Sequence, residues 1–467
     1  MAAPDLNIAD ERDDIQGLVV SGYGHLPLAA YVLLEIKKPA AARAWLAELV
    51  GDVTTASGKS DGPALNVALT ASGLRKLGLP DDVLRGFSGE FLAGMADDVR
   101  SRFLGDVDEN APEAWSWGAP TGQPIDLALL LYAADARTLR ALVKRHSEQL
   151  ARRGLAVVQR LDATSDEREH FGFRDGISQP AVEGLRAGSP DQTVKTGEFV
   201  LGYRNEYGLL TERPLVARER DPAALLPPAA EDSARRDLGR NGTYLVFRQL
   251  SQDVPGFWRF VDQQGGNGHG SRTALAAKMV GRWPNGAPLV LAPDFDSPAL
   301  SMANEFRYFE SDPDGLHCPL GAHVRRSHPR DSLDPNPGSD KSVAVGKRHR
   351  ILRRGRKYGP PLTADAALNG HAGDKQVRGL HFICLCANIA RQFEFVQHTW
   401  VNNPKFKGLY EDADPIMGPT GRAFTVQASP VRKRYTALPS FVQTRGGAYF
   451  FLPGLRALQY VARTPGG

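Results

Sequence analysis

Two short segments of the chain carry side chains that could do chemistry. Phe171-Gly172-Phe173-Arg174-Asp175-Gly176-Ile177-Ser178-Gln179-Pro180 sets a carboxylate between glycines, where the backbone must bend tightly. Alone, such an Asp-Gly pair reads as a turn. His317-Cys318-Pro319-Leu320-Gly321-Ala322-His323-Val324-Arg325-Arg326-Ser327-His328-Pro329-Arg330-Asp331 puts His323 after two small residues, which would let a flat ligand approach the backbone. A lone histidine is more often a hydrogen-bonded structural residue than a ligand. A third segment, from Lys347 to Lys357, holds seven Lys/Arg in eleven residues. It reads as a solvated loop, as a nucleic-acid patch, or as a stretch that sends one arginine inward to an anionic or oxygen-bearing ligand. The lack of interleaved aromatics argues against a base-stacking platform. Composition does not separate the first reading from the third.

Other signals fail on spacing. Ser57-Gly58-Lys59-Ser60 resembles the end of a phosphate-binding loop, but Val53 stands where that loop needs glycine. Gly266-Asn267-Gly268-His269-Gly270 follows no strand and reads as a loop rather than a dinucleotide fingerprint. Cys384-Leu385-Cys386 has no second pair at zinc-like spacing, so the thiols read as buried apolar groups on a strand. No Gly-x-Ser-x-Gly nucleophile elbow is present.

The elements that must position these residues sit in a chain of 467 residues, 42% hydrophobic and 24% charged, with net charge +4. That is the balance of a protein with a real core and two or three folding units, and it excludes a generally basic nucleic-acid coat. The 48 glycines and 33 prolines predict long ordered loops. Three cysteines (Cys318, Cys384, Cys386) cannot build a disulfide framework and fit a reducing compartment. The N-terminal stretch to Asp14 lacks the pattern of a secretory signal, and no apolar run approaches the ~20 residues of a membrane span. The expectation is a cytoplasmic protein with no membrane and no nucleic-acid partner.

Periodicity predicts a strand at Ala30–Ile36, an Ala-rich helix after Pro39 to Val50, strands at Leu65–Leu69 and Leu127–Tyr132, a helix from Asp135 to Leu150, and a strand at Leu155–Leu161. This strand–helix–strand order, an insertion, then strand–helix–strand, is the split βαβ or ferredoxin-like arrangement. A similar order recurs less cleanly: strand Thr243–Phe247, helix Arg272–Trp283, strand Leu380–Leu385, helix Asn388–Trp400 and strand Ala448–Leu452. The Pro-, Gly- and charge-rich stretches at Gly188–Gly197 and Arg213–Arg236 read as linkers. The expected fold is α+β, with two units divided as 1–195 and 196–467.

The Asp and His segments, in this order, resemble the dye-decolorizing peroxidase family. Gly172-Phe173-Arg174-Asp175-Gly176 matches its Gly-x-x-Asp-Gly motif, Cys318–Arg330 is similar to its proximal-histidine segment, and Ile351-Leu352-Arg353 to the stretch bearing its distal arginine. Asp14-Ile15-Gln16-Gly17, Gly197–Tyr203, Val280-Gly281-Arg282-Trp283 and Gly446–Leu455 are also similar, so the likeness covers most of the chain. The resemblance implies two ferredoxin-like domains of the dimeric α/β-barrel type, whose antiparallel sheets enclose a haem pocket with one haem b per chain. It implies a peroxidase that reduces hydrogen peroxide and oxidises dyes, phenols or other bulky reductants. The alternative is a haem-handling protein without turnover, which needs His323 but has no use for a distal pair.

The site residues follow by motif match. His323 is the expected axial iron ligand, Asp175 the acid–base group on the open face, and Arg353, rather than Arg354, the guanidinium beside it. Gly176 and Ile177 are expected near the haem. His328, where the family usually has asparagine, is expected with Pro329 and Arg330 at a propionate. The second nitrogen of His323 needs an acceptor, for which Asn388 and Glu394 are candidates. Trp258, Trp283, Tyr358 and Trp400 are candidates for a surface exit of electrons, and a homo-oligomer is compatible with all of this.

Overall fold

Strand β1 (Leu28–Ile36) is apolar along nearly its whole length because it is covered on both sides. The computed structural model describes residues 7–58, 62–265, 269–369 and 376–463; positions 59–60 and 266–268, which belong to two of the rejected motifs, lie outside them. After β1 come α1 (Pro39–Leu49), β2 (Ala64–Leu69), β3 (Leu127–Ala133), α2 (Ala136–Ser147) and β4 (Leu155–Thr164). All pairings are antiparallel and the spatial order is β4-β1-β3-β2. The expected helix from Asp135 begins as read, with Asp135 capping the amides of Arg137 and Thr138.

The second half repeats the plan. It contains β5 (Thr243–Gln252), α3 (Val254–Gly265), α4 (His269–Val280), a five-residue helix α5 (His323–Ser327), the short strands β6 (Leu352–Arg353) and β7 (Arg356–Tyr358), β8 (Gly379–Cys386), β9 (Val442–Leu452) and α6 (Leu455–Arg463). Its order is β9-β5-β8 followed by β6 and β7, again antiparallel. This is the same first-to-fourth strand order as in the first half.

The two sheets close on each other. Phe451 of β9 pairs with Leu69 of β2, and Lys357 of β7 pairs with Thr164 of β4. Alternate residues then face opposite layers, as the period of a strand demands. Tyr31, Leu130, Tyr132, Leu245, Phe247, Ile383 and Phe450 fill the space between the sheets. Val32, Leu34, Leu129, Leu131, Val246, Cys384 and Cys386 face outward, under the helices. Both of these cysteines are buried and unpaired, and burial pushes their thiols up, Cys386 to about 12.

Several elements depart from expectation for physical reasons. The helix expected over Arg272–Trp283 is α4, three residues earlier at each end, and a further helix, α3, precedes it. The second strand of the latter half, β6 with β7, lies inside the basic run, where charge hides any apolar alternation. β9 begins at Val442, six residues before the expected start, because a register shift between Thr444 and Gly446 breaks its pattern. The helix expected over Asn388–Trp400 is two π-helical segments, Ala390–Glu394 and Val396–Val401, a form that clusters at functional sites.

The β2–β9 seam has a single paired rung, and a side chain supplements it. Gln16 donates from Nε2 to the carbonyls of Val67 (2.8 Å) and Pro453 (3.0 Å), and its Oε1 accepts from Val67 N (2.9 Å). Gln16 thus joins β2 to the end of β9 from a buried position. Gln16→Leu should cost about 2–4 kcal/mol, since it leaves buried backbone groups without partners. Denaturant unfolding measures this; a loss under about 0.5 kcal/mol would show that the seam does not need the amide.

Candidate active site

The chain leaves β4 and turns back on itself through residues 167–175. Asp175 N donates to Glu167 O (3.2 Å), Glu169 N to Phe173 O (3.0 Å), and Arg174 N to Pro284 O (3.1 Å). Gly172 and Gly176 take positive φ (+96° and +81°), the backbone turns that a side chain would strain. Asp175 emerges from this turn and accepts from Arg353 Nη1 at 2.9 Å and from Gly176 N at 2.6 Å. Arg353 lies on β6, opposite Cys384 of β8, and its backbone N–H donates to Gln179 Oε1 at 3.1 Å. Strand alternation sends Arg354 the other way, where it donates to the carbonyls of Leu18 (2.7 Å) and Val19 (2.8 Å). Burial opposes the charge on Asp175, but the Arg353 guanidinium and the Gly176 amide outweigh it, holding the carboxyl below the usual range.

His323 opens α5 and lines the same cavity as Asp175 and Arg353. Its Nδ1 meets Asp414 Oδ2 at 2.9 Å. Asp414 Oδ1 accepts from the amides of Ile416 (2.9 Å) and Met417 (2.8 Å), which fixes the carboxylate. Burial disfavours ionisation of Asp414, yet His323 and these donors bring its pKa below the usual value. With Nδ1–H donated to Asp414, Nε2 is the lone-pair nitrogen, the tautomer a metal ligand needs. The partner is therefore Asp414 and neither residue named from the sequence. Glu394 instead takes Arg100 (2.9 Å) and Tyr449 (2.9 Å), and Asn388 Oδ1 accepts from Arg391 N (2.9 Å). No spacing signal marks Asp414, which lies 91 positions from His323.

The cavity contains about 1730 Å³ free of atoms, its mouth included. One wall is the outer face of the β5–β8 sheet, through Leu250, Leu380 and Phe382; Phe171, Phe173 and Ile177 add further apolar surface. Gly176 and His328 also line it, whereas Pro329 does not. Arg282, Arg330 and Arg350, all buried, also line it, near enough to His328 that they and Arg353 all act on its charge. None of the three makes an ion pair with a carboxylate among the described residues. Arg350 Nη1 donates to His328 Nε2 (2.7 Å), Arg330 to the carbonyls of Asn304 (2.8 Å) and Phe306 (3.1 Å), and Arg282 to Gly286 O (2.7 Å). Burial pushes Arg350 down to about 9 and Arg282 to about 10. Burial and the surrounding arginines push His328 well below its usual value, so it is a neutral acceptor here. Buried cations without counter-charges are costly, and this cluster fits a ligand that brings its own carboxylates. Arg282 and Arg350 were not singled out from the sequence, although both lie in segments it flagged.

A second cleft, lined by Ser21, Gly22, Gln179 and Arg354, reaches the same Asp175 and Arg353 from the N-terminal side. The rest of the basic run is consumed internally. Arg356 donates to the carbonyls of Leu26, Gly22 and Tyr23, Arg348 lies 4.2 Å from the Tyr207 ring centre, and Lys357 pairs with Asp166. Of the surface-exit candidates, Trp258, Trp283, Tyr358 and Trp400 are all buried, none more than 8% exposed, so none is a surface residue.

No family model matches the sequence. Its relatives, however, are consistent. The chain is 31% identical over 478 residues to a dye-decolorizing peroxidase of Exidia glandulosa, covering 96% of this chain and 86% of the relative. It is 32% identical over 420 residues to a multifunctional dye peroxidase of an Amycolatopsis species, covering 85% and 82%. A crystal structure of a DyP-type peroxidase from Auricularia auricula-judae superposes with a TM-score of 0.80 at 28% identity, covering 97% of this chain and 99% of the other. With two ferredoxin-like sheets and relatives this similar over nearly its whole length, the chain belongs to the dye-decolorizing peroxidase family.

Proposed function

We propose that this chain holds one haem b in the cavity, where His323 would ligate the iron, and reduces hydrogen peroxide while oxidising dyes, phenols or other bulky organic reductants. The observation that carries the reading is that a single cavity is lined by His323 and by the Asp175–Arg353 ion pair. The arginine cluster with His328 supports propionate binding at the Arg330 and Arg350 end. A bound haem would supply the redox chemistry, two-electron reduction of peroxide balanced by two one-electron oxidations of the reductant. Asp175, ionised at neutral pH, accepts the proton from the peroxide oxygen nearer the metal site and returns it to the outer oxygen as water departs. Arg353 aims a fixed positive charge at the oxygen that becomes negative. Asp414 keeps His323 in its ligating tautomer. The second cleft offers peroxide a path to Asp175. A haem carrier has no chemical need for the Asp175–Arg353 pair, which sets that reading second.

We place the division between the units, 1–195 and 196–467, in the stretch between β4 and β5, which joins neither main sheet. Three buried, unpaired thiols favour a reducing, cytoplasmic setting, and no helix among the described residues is long and apolar enough to cross a membrane. The test is an absorption spectrum of the purified chain with haem, followed by addition of peroxide and then of an anthraquinone dye. A Soret band that changes on peroxide addition, is restored by the dye and bleaches the dye catalytically is expected. A chain that binds haem but leaves peroxide and dye unconsumed would favour the carrier.

A further inference from the structure

The turn that presents Asp175 is built around a second carboxylate. Glu169 Oε2 accepts from Phe171 N (2.8 Å) and from Gln252 Nε2 (2.9 Å), and its Oε1 accepts from Phe173 N (2.9 Å). All three donors are neutral N–H groups. The same residue's backbone closes the turn, taking Gly172 N (3.0 Å) and donating to Phe173 O (3.0 Å). Gln252 belongs to β5, so this one side chain ties the loop of the first half to the sheet of the second. Glu169 and Gln252 both line the cavity that holds Asp175 and His323. Among the described residues Gln252 Oε1 is buried with no partner, so the tether to Glu169 is the one hydrogen bond its side-chain amide makes with them.

From this geometry we infer that Glu169 is a positioning residue for Asp175: its carboxylate holds residues 171–173 in the turn that aims Asp175 at Arg353 and into the cavity. A carboxylate that gathers two backbone amides of one turn replaces the water or strand partners those amides would otherwise seek. Burial raises the pKa of Glu169, while the Phe171, Phe173 and Gln252 donors lower it; the net direction is upward. No proton transfer by Glu169 is required; it acts on the reaction only through where Asp175 sits. The inference rests on the proposed role of Asp175 and is tested so that the two can fail separately.

Two measurements are made on Glu169→Gln, Asp175→Asn and the double variant. The first is amide hydrogen exchange of the 169–176 peptide in the chain without added substrate. A glutamine accepts through one oxygen and turns an N–H toward the remaining amide, so exchange at Phe171 and Phe173 should rise about tenfold or more, hydrogen bonds to a charged group being strong. Asp175→Asn should leave that exchange unchanged. The second is the stopped-flow rate of the peroxide reaction per bound haem. Glu169→Gln should slow it about 10- to 100-fold, the range expected for a misplaced catalytic group. The double variant should be no slower than Asp175→Asn alone, because a residue that acts through Asp175 has nothing left to position. Unchanged exchange, an unchanged per-haem rate in Glu169→Gln, or a double variant slower by the full product of the two effects overturns the inference. If Asp175→Asn reacts as fast as the native chain, it is the role of Asp175 that fails. Should Glu169→Gln not fold, Gln252→Leu enters the same cycle in its place, with slower reaction expected and an unchanged rate counting against the proposal.

Discussion

His323→Ala should leave a folded chain that no longer retains haem, or retains it with a strongly displaced Soret band. The side chain sits at the start of α5 with its ring against the cavity, and its one hydrogen bond among the described residues is the contact with Asp414. The side chain is 32% exposed, so the larger effect should fall on ligand binding rather than on folding. Unfolding transitions of the native and variant chains without haem should differ by about 1–3 kcal/mol, the cost of leaving the buried Asp414 carboxylate without this partner. Free imidazole added to the variant should restore part of the native spectrum by entering the space left behind. Asp414→Asn should act in the same direction but less strongly, weakening haem retention about 10- to 100-fold, as losses of a ligand's orienting partner do. A native Soret band in His323→Ala would move the axial ligand elsewhere.

How much of this was legible in the sequence depends on the kind of interaction. The apolar strands β1, β3 and β5 announce themselves because both faces are covered and residue type records burial directly. The first half's strand–helix–strand succession was read from that signal together with the Asp135 helix cap. β6 and β7 were hidden because their residues were chosen for what their side chains reach: Arg353 for Asp175, Arg356 for the carbonyls of Gly22, Tyr23 and Leu26. A strand built of charges that turn back to the protein looks like a solvated loop. The site residues identified by motif, Asp175, His323 and Arg353, come to one cavity. The acceptor for His323 did not show, because Asp414 sits far along the chain in irregular backbone, and only folding makes them neighbours. The arginine cluster was similarly dispersed: Arg282, Arg330 and Arg350 come from three segments, and their lack of carboxylate partners is a property of space, not of order.

Asp175→Asn should slow the reaction with peroxide by about 10²–10⁴-fold while haem stays bound, since an amide of the same shape keeps the turn but cannot take up a proton. Arg353→Leu should also slow it, and in addition move its pH dependence, which separates the two roles. In the native chain the Asp175 carboxyl lies below the usual carboxylate range: burial raises it, but Arg353 and the Gly176 amide lower it further. The group is therefore charged above that depressed pKa, and the rate it supports is lost only as pH falls through it, at the acid end of the scale. Taking away Arg353 removes the largest influence that favours the charged form and leaves the burial that opposes it. The acid limb of the peroxide reaction should then shift to higher pH in Arg353→Leu, and no such limb should remain in Asp175→Asn. Because the two side chains share one hydrogen bond of 2.9 Å, their effects should not add: the double variant should be scarcely slower than Asp175→Asn. Stopped-flow rates across pH 3–8, an interval of about five units spanning the ordinary carboxylate range, read all three statements at once. An acid limb that stays in place in Arg353→Leu, or moves to lower pH, would mean that the ion pair does not set the charge on Asp175, and the division of labour between carboxylate and guanidinium would have to be redrawn.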